Sequence, residues 1–188
     1  PRLLSGLNVP RKGLVGPWGH QYMHQVLPRP GMGYMDEALR WWNYWLKGID
    51  AGIMDEPQYR AWVQDSVQPS STYHERPGYW ATESEWPSPN IGSQTFHLNT
   101  DGLGDTANSE KSISVQSPQT TGQCTPFLGS NGAGHPEDPY DQRHDDVLSY
   151  CFDGDVLEEE FTLFGAPEVK LELSADQTDA FVCVRLNE

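Results

Sequence analysis

Leu14-Val15-Gly16-Pro17-Trp18-Gly19-His20 is a short apolar run that breaks at a Gly-Pro turn and leaves an imidazole at its tip. A histidine so placed is free to meet groups from other loops, which suits a general base; the plain alternative is a loop histidine without a role. His20 and His24 also stand four apart, and on a helix that spacing puts two imidazoles on one face as metal ligands. The hydrolytic version of that pair needs a glutamate directly after the first histidine to activate water, and Gln21 occupies the position. Pro17 and Gly19 also oppose a regular helix there. From this pattern alone the loop histidine without a role is the commoner outcome, and no metal ligands and no cofactor-binding residues are expected.

Acidic side chains cluster between His135 and Asp146, where Glu137, Asp138, Asp141, Asp145 and Asp146 accompany His135 and His144. Clustered carboxylates can hold a hard cation such as calcium, but the spacing matches no EF-hand, and a solvated acidic loop is the commoner outcome. Glu158-Glu159-Glu160 reads the same way. The three cysteines, Cys124, Cys151 and Cys183, are far apart and odd in number, which indicates neither a disulfide framework nor a zinc site. They fit a reducing compartment, and the expected location is cytoplasmic.

Elements must position these groups. Met35, Leu39, Trp42 and Leu46 lie four, three and four apart, so the spacing predicts a helix from Tyr34 to Lys47 with one shared apolar face. Gly33 and Gly48 bracket it, with Lys47 in the last turn. Lys12 to Gly16 reads as a short strand running into the histidine loop, and Tyr59 to Asp65 alternates like another. Beyond the Pro-rich stretch at Trp86–Asn90 the pattern is β. Strands are expected at Thr95–Leu98, Ser112–Val115, Val147–Phe152, Glu159–Phe164, Glu168–Ser174 and Ala180–Leu186. Val169, Leu171 and Leu173 would be buried on one face, and Phe181–Val184 on both. Short strands without intervening helices suggest an antiparallel sandwich or jelly roll.

The chain has 188 residues and a net charge of −15. That charge repels phosphate backbones and anionic membrane surfaces, so neither nucleic acid nor membrane is an expected partner. No apolar run approaches the roughly 18 residues needed to span a bilayer. Leu, Ile, Val and Phe make up only about a fifth of the chain, near the border of disorder, but seven Trp and eight Tyr argue for a globular protein. The charge is unevenly divided. Residues 1–80 are nearly neutral, residues 81–188 carry 20 acidic and 4 basic side chains, and all seven Trp fall at or before Trp86. The expected domains are thus 1–80 and 81–188. The start at Pro1 rather than Met reads as a piece of a longer protein.

Taken together, these residues resemble the cocaine-esterase and X-prolyl dipeptidyl-peptidase family of serine hydrolases. The likeness rests on Gly16-Pro17-Trp18-Gly19-His20 and on Arg40-Trp41-Trp42-Asn43-Tyr44-Trp45-Leu46-Lys47-Gly48. Gly78-Tyr79-Trp80, Glu85-Trp86-Pro87, Asp101-Gly102-Leu103, Asp145 to Tyr150 and Gly165 to Leu171 follow in the same order. The resemblance implies a mixed fold. The C-terminal end of an α/β-hydrolase domain, with the histidine loop and an aromatic helix, would precede a mainly antiparallel β jelly-roll (galactose-binding-like) domain that is incomplete at its C-terminal end.

It also implies that His20 is the triad histidine of an enzyme cleaving an ester, amide or X-Pro peptide bond through an acyl-enzyme. In that family the triad follows the chain order Ser, Asp, His, yet no Asp or Glu precedes His20, and Ser5 lacks a nucleophile-elbow context. The serine and aspartate would therefore lie outside this chain, and the chain alone would be inactive. Asn43 stands where many relatives carry Asp. The competing expectation is an acidic β-sandwich that binds sugar or calcium without catalysis. Unpaired edges on a truncated sheet further predict a homo-oligomer.

Overall fold

The computed structural model describes residues 1–19, 22–108, 112–124 and 141–187. In chain order these form α1 (Arg2–Gly6), β1 (Gly13–Val15), α2 (Tyr34–Lys47), a 3-10 turn at Ile53–Asp55 and β2 (Tyr59–Gln64). After them come β3 (Gly78–Glu83), β4 (His97–Asn99), β5 (Gly102–Gly104) and α3 (Arg143–Asp146).

The expected helix forms over Tyr34–Lys47, with Asp36 and Glu37 in its first turn and Lys47 in its last, each sign suited to its end of the dipole. Gly48 closes it in the left-handed region (φ 67°), where its N–H and that of Ile49 bond to the carbonyls of Tyr44 and Asn43. The orientation differs from expectation. Met35, Leu39, Trp42 and Leu46 do share a face, but all four are exposed, from 54 to 74 %. Tyr34, Ala38 and Trp41, spaced four and three apart, instead line the cleft towards β1 and β2. An aromatic-rich helix carries two apolar stripes, and the neighbouring sheet decides which one is covered.

β1 and β2 pair in parallel, with Leu14 opposite Arg60, and α2 makes the crossover between them. β2 then pairs antiparallel with β3, Trp62 opposite Trp80, in the order β1-β2-β3. Charges fasten the crossover to the sheet. Arg40 of α2 pairs with Glu56, and Arg60 of β2 reaches Glu37 of α2 at 2.8 Å. All four are partly exposed, so the network secures register more than it adds stability.

The core lies on the other side of β2. Tyr59, Ala61 and Trp86 are buried together, with Leu4, Ile91 and Phe164 packed against them. Tyr59 and Trp86 sit 4.4 Å apart between ring centroids, and burial pushes the Tyr59 hydroxyl above its ordinary pKa. Gly78 opens β3 at φ 152°, and a Cβ there would collide with the Val63 carbonyl oxygen across the ladder. Gly78→Ala is expected to cost about 1–3 kcal/mol, read by urea unfolding, by forcing β2 and β3 apart at that end.

Further along, β4 and β5 form a two-stranded antiparallel ribbon, with Leu98 opposite Leu103. By number of elements the structure is small and mostly β, with antiparallel pairing and few helices, as a C-terminal β domain would be. Among the described residues, the stretches expected as strands at 112–115, 147–152, 159–164, 168–174 and 180–186 join no ladder. Val169, Leu171 and Leu173 are exposed, and so are Phe181, Val182 and Val184, which corrects the expected one-faced and two-faced burial. Alternation states that a face needs covering. Covering it takes a partner strand or sheet, and no described residue supplies one.

Candidate functional site

β1 ends at Val15, and the chain turns away at its C-terminal end. A Cβ on Gly16 would collide with the Trp18 ring, so glycine is what lets the indole fold back over the turn. The folded indole donates from Nε1 to the Pro30 carbonyl at 2.7 Å. Gly19 N–H bonds to the Leu27 carbonyl at 3.2 Å, so both flanks of the loop are tied to one another. Val26, 1 % exposed, anchors the return limb. His20 itself lies outside the described residues, as does Gln21.

The loop also leans on the sheet. The Trp18 and Trp80 ring centroids are 6.2 Å apart, and Trp80 meets its cross-strand neighbour Trp62 edge-on at 5.4 Å. Trp62 donates from Nε1 to the Arg76 carbonyl at 3.2 Å. Arg29 N–H bonds to the His74 carbonyl and Arg76 N–H to the Arg29 carbonyl, each at 2.9 Å. These indole contacts escaped the sequence reading. The Gly-Pro-Trp and Gly-Tyr-Trp motifs were visible, but nothing in a linear spacing of 62 residues shows that their rings touch.

His24 stacks on Tyr34, 6.4 Å between centroids and nearly parallel, with Tyr22 beside it. Its surroundings are aromatic. Among the described residues, no group of three or more His, Cys, Asp or Glu side chains is placed to hold a metal. Behind the loop a cleft of about 370 Å³ lies between α2 and the sheet, lined by Leu14, Met23, Trp41, Lys12, Glu56 and Arg60 among others. Burial pushes the Lys12 ammonium below its ordinary pKa, against the opposing pull of Glu56. A hydrogen bond from Arg40 holds the Glu56 carboxyl below the usual range. The lining charges answer one another.

The acidic run resolves into separate jobs where it is described; His135, Glu137 and Asp138 lie outside the described residues. Asp145 is buried, 3 % exposed, and accepts the N–H groups of Gly122 at 2.8 Å and Cys124 at 3.2 Å. Asp146 pairs with Arg185, and Asp141 with Arg143. Burial first, then the Asp145 carboxylate, pushes the Cys124 thiol up. Each described carboxylate faces N–H donors of its own chain, which is an anchoring pattern.

The Gly122 bond, supported by that from Cys124, holds the Asp145 carboxyl below its ordinary 3.8, and Arg143 holds Asp141 down to about 2. A depressed folded pKa means stability that is present above the unfolded value and lost as pH falls through the folded one. Asp145→Asn is therefore expected to lower the thermal midpoint at pH 7. The gap from wild type should hold constant down to about pH 5, then narrow below pH 3.8 as wild-type Asp145 takes up a proton. A midpoint scan against pH checks both parts.

A family model for the X-Pro dipeptidyl-peptidase C-terminal non-catalytic domain matches residues 51–188. The chain belongs to that family. No curated protein and no solved structure matches it. The family's C-terminal non-catalytic domain thus accounts for β2 to α3 and for the Trp86 core, while β1, the histidine loop and α2 precede the matched stretch. Ser5, the one serine ahead of the loop, spends its hydroxyl on the Pro1 carbonyl at 3.2 Å within α1.

Proposed function

We propose that this chain is part of a serine hydrolase that cleaves X-Pro peptide, amide or ester bonds, and that His20 is its general base. One observation carries the reading. The Gly-Pro-Trp-Gly-His loop leaves the C-terminal end of β1, which α2 connects to its parallel partner β2, the first strand of the stretch matched by the family's C-terminal non-catalytic domain. Loops at the C-terminal ends of parallel strands are where α/β folds keep their chemistry. On this reading β1, the histidine loop and α2, ahead of residue 51, come from the end of an α/β-hydrolase domain.

His20 would take the serine proton as the hydroxyl attacks the acyl carbon, then return it to the departing amine or alcohol. An aspartate would hold the imidazole tautomer. In the chain order Ser, Asp, His that the resemblance implies, serine and aspartate would come from residues outside this sequence, because no acid precedes His20 and Ser5 lacks a nucleophile-elbow context.

The 188-residue chain alone is expected to release no burst of nitroaniline from an X-Pro p-nitroanilide. A burst that a serine-directed phosphonate abolishes would show that the nucleophile lies within the chain and overturn this assignment.

A further inference from the structure

The family model covering 51–188 describes a non-catalytic domain, yet that stretch grips the histidine loop on both flanks. We infer that Trp80, backed by Trp62 and flanked by the His74–Arg76 bridge to Arg29, is a positioning residue for the loop that carries His20. The inference rests on the reading of His20 as general base.

The contacts close into a ring. Trp18 bonds to Pro30, whose neighbour Arg29 is bonded on both sides by His74 and Arg76. The Arg76 carbonyl accepts the Trp62 indole N–H, Trp62 meets Trp80 edge-on, and Trp80 returns to Trp18. Trp18, Arg29 and Pro30 belong to the loop; Trp62, His74, Arg76 and Trp80 belong to the matched domain. Trp18 stands two residues before His20 in the sequence, so a displacement of its ring moves the backbone immediately ahead of the histidine. A misplacement of about 1 Å in a reacting group costs on the order of a hundredfold in rate, which gives such a brace its worth. Trp80 is 38 % exposed and lies outside the buried Tyr59–Trp86 cluster, so shortening it leaves that core intact.

The test uses the full-length protein and an X-Pro p-nitroanilide. Trp80→Leu is expected to lower kcat by about 10- to 100-fold with KM within about twofold, and Trp80→Phe to restore most of it. Trp18→Leu should give a loss at least as large, because it also removes the bond to Pro30, and the double variant little beyond Trp18→Leu, because the shared Trp18–Trp80 contact is already gone. Amide exchange at Gly19 and Arg29 should quicken in Trp80→Leu and return to the wild-type rate in Trp80→Phe.

Unchanged kcat and unchanged exchange in Trp80→Leu overturn the inference. So does a kcat loss that merely tracks the folded fraction and is absent from Trp18→Leu. Undiminished turnover in His20→Ala removes the general-base reading instead, and the exchange at Gly19 then decides alone whether the brace exists.

Discussion

Replacing His20 by alanine in the full-length protein is expected to lower kcat for an X-Pro p-nitroanilide by about 10⁵- to 10⁶-fold, with KM little changed. The size follows from the proposed role. A serine hydroxyl is a weak nucleophile until a base takes its proton, and the same imidazole must protonate the leaving amine. Losing it removes both transfers at once, leaving only the oxyanion donors and binding to act, about 10³- to 10⁴-fold over water. Single-turnover kinetics with active-site titration measure it. A loss under tenfold would exclude His20 as the base.

Trp86→Ala is expected to destabilise the chain by about 3–5 kcal/mol and lower its thermal midpoint by about 10 °C. Trp86 is 7 % exposed, and its ring meets Tyr59 at 4.4 Å and Phe164 at 6.0 Å. Its indole N–H bonds to the Pro1 carbonyl, its backbone N–H to Gln58, and its carbonyl accepts from Arg11. The side chain thus joins segments 85, 27 and 78 residues away, and its removal leaves a cavity where they meet. Trp86→Phe keeps the ring contacts and loses the bond to Pro1, so it should cost clearly less. Urea unfolding of the three proteins orders them. Alanine and wild type within 1 kcal/mol of each other would show that this cluster does not hold the fold together.

Helix α2 was legible to the residue, because two glycines mark its ends and a spacing of four, three and four admits no strand. Which side faces the sheet was not, since Trp41 and Trp42 are equally apolar and only the sheet distinguishes them. β2 was legible from Tyr59, Ala61 and Val63, whose alternation the core confirms at the first two positions. β3 was visible only as a Gly-Tyr-Trp motif, its place in the sheet resting on cross-strand partners. Asp145 illustrates the general limit at the site. Among neighbouring acids it looks solvated, and what buries it is a backbone segment more than twenty residues earlier. The histidine loop was legible as a loop, while the indole that touches it and the one backing that indole come from β3 and β2, more than forty residues further along, where linear spacing carries no trace.

The distribution of indoles also governs what light can report about this protein. All seven tryptophans stand at or before Trp86, so tryptophan emission belongs to the first half of the chain. Among the described residues, the stretch beyond Trp86 touches its buried cluster at Ile91 and Phe164. A melt followed by tryptophan emission would thus report the sheet and its core and be nearly blind to rearrangements after residue 90, except for those that lift Ile91 or Phe164 off the indole.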